Sequence, residues 1–120
     1  MVVLVVDGAA SIIERWQTLL SEVNSINTVY GASSYEEAVR LFERENPGVI
    51  LLDGSLPGDD TISFLKKIKE AGSKAAIIVL CNRVDDYIEN QCKLNGADFF
   101  LDKYLEFEKV PEIIREIAAA

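Results

Sequence analysis

Three residues carry most of the chemistry open to this chain: Asp7, Asp53 and Lys103. Each closes an apolar run, in "VVLVVDGAAS" from Val2, "VILLDGS" from Val49 and "FFLDK" from Phe99. Two carboxylates and one ammonium in one place can neutralise one another, hold a divalent cation, or leave one carboxylate as a nucleophile. Taken singly, Asp7 reads equally as a cap on the turn into the next helix. The chain has no histidine. That removes Ser-His-Asp and Cys-His nucleophile systems, most zinc sites and any phosphohistidine on this chain. Cys81 lies in an apolar run and Cys92 in a helical pattern, with neither metal spacing nor a redox pair between them. Both are expected as reduced core thiols.

What must position these residues is an alternation of apolar runs with amphipathic stretches. Val2 to Val6 reads as a strand buried on both faces. Ile12, Ile13, Trp16, Leu19, Leu20 and Val23 then recur at helical spacing, with Ser11 and Glu14 as a capping box. Asn27 to Ala32 is a second strand. Ser34 and Glu37 form another capping box, opening a helix that buries Tyr35, Ala38, Val39 and Phe42 and stops at Asn46-Pro47. Val49 to Leu52 is a third strand, followed by a helix from Thr61 to Ala71. Ala75 to Cys81 is a fourth, uniformly apolar and therefore central. Asp85 to Leu94 is a weaker helix with Ile88 and Cys92 inward and Asn95-Gly96 as its stop. Phe99 to Leu101 is a fifth strand, and Val110, Ile113, Ile114 and Ile117 place a last helix, with Pro111 in its first turn. Five strands alternating with five helices predict an α/β fold, a doubly wound parallel sheet with helices on both faces. In that architecture ligands bind at the carboxyl ends of strands, where Asp7, Asp53, Cys81, Asn82 and Lys103 all fall.

Composition limits the function classes. The 120 residues, 49% hydrophobic and 27% charged, suit one domain, residues 1–120, with a proper core. A formal net charge of −8 without a basic cluster argues against direct binding to nucleic acid. No apolar run is long enough for a membrane span, and Met1 runs into a strand without a cleavable leader, so a cytoplasmic location is expected.

The ordered set "VLVVD", "GASSYEEAV", "VILLDGSLPGDD", "AAIIVLCN" and "NGADFFLDK" resembles the receiver domain of two-component response regulators, over essentially the whole chain. The resemblance implies a flavodoxin-like sheet of strand order 2-1-3-4-5. It implies that Asp53 is the phosphoacceptor, that Lys103 contacts the acyl phosphate, and that Asp7 is the first of the family's two strand-one acids. Mg2+ would then be held by Asp7, Asp53 and the backbone carbonyl of Ser55. It also implies a histidine kinase or phosphotransfer protein as donor, an effector protein or domain as recipient, and a homodimer face on the fourth helix, fifth strand and fifth helix. The exposed residues of that face would include Asp85, Asp86, Glu89, Lys93, Asp102, Glu112, Arg115 and Glu116, which read equally as a solvated surface.

The departures from the family pattern matter as much. Gly8 occupies the place of the second acid, so Mg2+ binding is expected to be weak or absent. Cys81 replaces the Ser or Thr that bonds the phosphoryl group, and a thiol is a poor donor. Asn82 replaces a small residue, Tyr104 the proline after the lysine, and Thr61 a glycine whose loss should be absorbed locally. Phe100 stands at the switch aromatic and reads equally as a half-buried strand residue. These changes point to a non-enzymatic receiver with impaired phosphorylation that acts through protein–protein contact; a fully phosphorylatable receiver is the alternative, and an unrelated flavodoxin-like ligand-binding domain a remote one. A haloacid-dehalogenase-type phosphatase would need an acid at Ser55, a flavodoxin a donor-rich loop in place of "DGAAS", and a cobalamin domain a histidine. Two geometric expectations follow: the Lys103-Tyr104 peptide is trans, and Arg83 or Lys103 pairs with Asp53 or Asp7 in place of a missing cation.

Overall fold

The computed structural model describes residues 1–83 and 85–120. Chain order is β1 (Val2–Val6), α1 (Ala10–Leu20), β2 (Thr28–Ala32), α2 (Tyr35–Glu45), β3 (Val49–Asp53), α3 (Asp60–Glu70), β4 (Ala76–Cys81), α4 (Asp86–Leu94), β5 (Phe99–Asp102) and α5 (Lys109–Ala119). The strands form one parallel sheet in the order β2-β1-β3-β4-β5, as expected for a doubly wound flavodoxin-like fold.

The apolar runs form strands because every residue faces a packed layer. Leu4, Val6, Ile50, Leu52, Ile77 and Val79 pack with Ala38, Phe42, Phe64, Leu65, Ile68 and Cys92 of α2, α3 and α4. Their neighbours Val3, Val5, Val49, Leu51, Ile78 and Leu80 pack on the other side with Ile13, Trp16 and Leu20 of α1 and Val110 and Ile114 of α5. The two-residue period of a strand thus feeds two cores at once. Phe64 is fully buried and meets Tyr35 and Phe42 edge-on, with ring centroids 6.4 and 6.0 Å away. Gly31 lets α1 lie close on β2, since a side chain there would run into Ile13.

The element ends follow local chemistry, with three corrections. Ser34 caps α2, its Oγ accepting from the Glu37 amide at 3.2 Å, while the Glu37 carboxylate reaches back to the Ser33 amide at 2.8 Å. Asn46 ends that helix in the left-handed region, at φ 46°, ahead of Pro47. Ser11 and Glu14, by contrast, form no capping box. The α1 cap position is Ala9, without a side-chain cap, and Ser11 lies inside the first turn. Asp7 turns the chain early by accepting the Ala9 amide at 2.9 Å, so the helix starts before Ser11 can cap it. That helix also ends at Leu20, leaving Val23 in the following turn but still buried. The second strand begins at Thr28 rather than Asn27, whose side chain instead holds the Met1 ammonium. The remaining boundaries agree within a residue.

Candidate functional site

Parallel strands place all their carboxyl ends along one edge of the sheet. Asp7 follows β1, Asp53 closes β3 and Lys103 follows β5. The three are buried, 4%, 8% and 8% exposed, in a protein whose other charged side chains lie mostly at the surface. Lys103 Nζ lies 2.5 Å from Asp7 Oδ2 and 3.6 Å from Asp53 Oδ1. The expected internal pairing is therefore present, and Lys103 makes it. Arg83, the other cation named, is exposed and, among the described residues, in no ion pair.

Each carboxylate also shapes the backbone beyond it. Asp7 Oδ1 accepts from the Ala9 amide and Asp53 Oδ1 from the Ser55 amide, both at 2.9 Å. This is the Asx turn, in which a short acid side chain stands in for a backbone turn. Asp7 thus has both oxygens engaged. Asp53 Oδ2 meets no protein donor among the described residues and is the oxygen left open for chemistry.

Electrostatics divide the cluster. Burial pushes the Asp53 carboxyl above its ordinary value, opposed by the Ser55 amide, with the charge of Asp7 adding to the rise and Lys103 pulling against it. Burial works to lower the Lys103 pKa, but the hydrogen bond to Asp7 and the two negative charges outweigh it and hold the ammonium above its usual range. The lysine is a fixed cation, and Asp53 is the group whose charge the pocket opposes.

The surrounding residues are less directly engaged. Cys81 is buried, with Sγ donating to the Arg83 carbonyl at 3.1 Å and lying 3.8 Å from Ser55 Oγ. Its thiol is spent largely on its own loop. Asn82 is exposed, and Phe100 is half-buried against the α2–α3–α4 core. Gly8 is exposed, its φ is not in the left-handed region, and a side chain there would meet nothing within 4 Å. No peptide bond among the described residues is cis, so Lys103-Tyr104 is trans. Asp102 organises that loop, its Oδ1 accepting from the Tyr104 and Leu105 amides at 2.9 and 2.8 Å.

Sequence reasoning missed two features. Thr61, noted only as a replaced glycine, is buried, and its hydroxyl donates to the Asp53 carbonyl at 2.9 Å. The exposed apolar residues Tyr87, Leu94, Tyr104 and Leu105, 61–85% exposed, lie on α4 and the β5–α5 loop. The resemblance drew attention there to Asp85, Glu89, Lys93 and Asp102, of which Glu89 and Asp102 are only half-exposed. Asp85 instead caps α4, Glu89 pairs with Lys93, and Asp102 holds its own loop.

The oxygen chemistry of Asp7, Asp53 and the Ser55 carbonyl suits a hard divalent cation. Among the described residues, no three His, Cys, Asp or Glu side chains gather into a metal-binding group, and Asp7 is already taken by Lys103. The donor set fits Mg2+ in kind.

Five parallel strands in this order, with two acids and a lysine at their carboxyl ends, define a doubly wound α/β module with an acidic pocket at one edge of its sheet. The chain belongs to the response regulator receiver domain family, whose model matches residues 3–115, and is thus a receiver domain of the two-component type. It is 29% identical over 119 residues to the nitrate/nitrite response regulator protein NarL of Escherichia coli K12, covering 98% of this chain and 54% of that protein. It is 41% identical over 66 residues to a protein-glutamate methylesterase/protein-glutamine glutaminase of Rhodopseudomonas palustris, covering 55% of this chain and 18% of that one. The chain spans about half the length of relatives such as NarL. Among solved structures, the signal receiver domain of a response regulator from Colwellia psychrerythraea superposes with a TM-score of 0.91 at 19% identity, over 100% of this chain and 99% of that one. The Francisella response regulator 1452 receiver domain does so at 0.85 and 25% identity, over 98% and 96%. Receiver domains of this family normally bind Mg2+ at the acidic pocket. Among the described residues, no helix is long and apolar enough to cross a membrane.

Proposed function

We propose that this receiver accepts a phosphoryl group on Asp53 poorly, and signals chiefly through protein–protein contact. The observation that carries the reading is the pairing of Lys103 with Asp7 at 2.5 Å beside an open Gly8. Among the described residues the one buried ammonium, Lys103, is committed to the wrong acid for phosphoryl binding, and the second strand-one carboxylate is missing.

In this reading Asp53 Oδ2 is the attacking atom, because Oδ1 is held by the Ser55 amide. Asp7, Asp53 and the Ser55 carbonyl would hold Mg2+, which when bound neutralises phosphoryl oxygens. Lys103 would supply the second positive charge, but only to the extent that it leaves Asp7. Cys81 stands where a hydroxyl would bond the phosphoryl group and offers a weaker donor. The domain, taken as residues 1–120, works in the cytoplasm with no enzymatic activity of its own and no direct contact with nucleic acid. Its donor is a histidine kinase or phosphotransfer protein, and its recipient an effector protein or domain. The contact or dimer face is α4, β5 and α5, where Tyr87 and Leu94, seven residues apart on α4, offer exposed apolar surface.

The open Asp53 Oδ2 favours the second reading, a fully competent phosphoacceptor. Incubation with acetyl phosphate and Mg2+, followed by intact mass, separates the two. Slow, partial gain of one phosphoryl group, abolished by Asp53→Asn, supports impaired acceptance. Rapid stoichiometric uptake overturns it.

A further inference from the structure

The one buried threonine among the described residues ties the start of α3 to the end of β3. Thr61 is 6% exposed and its Oγ1 donates to the backbone carbonyl of Asp53 at 2.9 Å, eight residues earlier. The pairing of β3 with β1 ends one residue before, at Leu52 with Val6, so the Asp53 carbonyl lies beyond that ladder. Asp59, at the cap position of α3, makes no side-chain cap bond. The helix is therefore anchored at its first turn through a hydroxyl bound to the strand.

We infer that Thr61 is a positioning residue for the acidic pocket: its hydroxyl fixes the Asp53 peptide and with it the direction of the Asp53 carboxylate and the Ser55 backbone. The geometry makes this more than a local tie. The Asp53 side chain and carbonyl leave the same Cα, and its Oδ1 accepts the Ser55 amide at 2.9 Å. The next residue, Gly54, is held on its other side by donating to the Leu80 carbonyl at 2.8 Å, and a side chain there would press on Val79 and Cys81. The strand end is thus held by β4 through Gly54 and by α3 through Thr61, and the acid stands between the two attachments. Without the hydroxyl, a buried carbonyl loses its donor and the peptide is free to rotate toward another partner. The consequence for phosphoryl uptake rests on Asp53 being the acceptor; the consequence for backbone order does not.

The test compares Thr61→Val, which keeps the shape and removes the hydroxyl, with Thr61→Ser, which keeps the hydroxyl. The first readout is amide hydrogen exchange by NMR, with Leu51 as an internal reference for global stability. Thr61→Val is expected to speed exchange at Ser55 about tenfold beyond any change at Leu51, and Thr61→Ser to stay near wild type. Equal changes at Ser55 and Leu51 in Thr61→Val, a purely global effect, overturn the inference. So does a loss in Thr61→Ser as large as in Thr61→Val. If Thr61→Val does not fold, Thr61→Ala removes the hydroxyl with less apolar bulk and is read the same way. The second readout is phosphoryl uptake from acetyl phosphate. The maximal rate should fall in Thr61→Val and be restored in Thr61→Ser, with the half-saturating donor concentration unchanged. A wild type that takes up no phosphoryl group defeats the acceptor reading alone, and the exchange data still decide the role of Thr61.

Discussion

At the scale of single residues, the pocket is a problem in shared charge: two buried carboxylates and one ammonium. Lys103 resolves it unequally, at 2.5 Å from Asp7 and 3.6 Å from Asp53. Asp53 is left the more poorly compensated, and its raised carboxyl pKa has a definite sign for stability. A carboxyl raised in the folded state favours folding when protonated, and that contribution is lost as pH rises from about 3.8 through the raised value. At neutral pH the ionised Asp53 therefore opposes folding. Asp53→Asn, which keeps an acceptor for the Ser55 amide, should stabilise the metal-free domain by about 1 kcal/mol, or about 3–6 °C in Tm. Calorimetry showing an equal or lower Tm would contradict this. Gly8 gives a second prediction. The open space and ordinary φ at Gly8 admit Gly8→Asp without steric cost. A third carboxylate there should tighten Mg2+ binding by about tenfold, measured by titration calorimetry. Equal affinity in variant and wild type would sink the view of Gly8 as a lost ligand.

At the scale of elements, two similar motifs behave differently because of what precedes them. "SSYEE" and "GAASIIE" each offer a serine followed three residues later by glutamate. Ser34 is preceded by strand β2 and free to cap; Ser11 follows an acid that has already turned the chain. Ser34→Ala should therefore cost about 1 kcal/mol, and Ser11→Ala less than about 0.5. Urea denaturation of the pair checks it, and equal losses would show that Ser11 caps after all. The loop after β5 follows the same logic. Where a proline would shape it, Asp102 does so by accepting two amides, while the Lys103 amide donates to the Cys81 carbonyl at 2.8 Å. These bonds set where the lysine leaves the sheet, and so which acid it reaches.

At the scale of the whole molecule, two cores back a single sheet, and Cys92 reports on one of them. Its thiol is fully buried, and burial, with the nearby Cys81 adding, pushes its pKa from 9.0 up to about 11. The folded state keeps this proton while the unfolded chain releases it, so stability falls as pH rises between about 9 and about 11. The total is on the order of 3 kcal/mol, from about 1.4 kcal/mol for each of the two pKa units. Denaturation curves across that range should lose this part of their slope in Cys92→Ala, and an unchanged slope would refute it.

The alternation of apolar runs and amphipathic stretches determined the order of ten elements and the parallel sheet, because a strand buried on both faces leaves an unbroken apolar run in any sequence. The same pattern put Asp7, Asp53 and Lys103 at the ends of strands, and the motif set around them marked the family. Within the site, spacing could bring the three together but could not rank their contacts. Whether Lys103 or Arg83 supplies the cation depends on loop paths that Asp102 and Cys81 set through bonds to backbone. Thr61 was legible only as a departure, since a hydroxyl's partner eight residues away is a fact of tertiary distance. The exposed Tyr87 and Leu94 escaped because periodicity marked the inward Ile88 and Cys92 and is silent on apolar side chains left on the outer face. Periodicity along the chain records which residues are buried; which polar atoms then meet is decided by packing, at distances of ångströms that no sequence interval encodes.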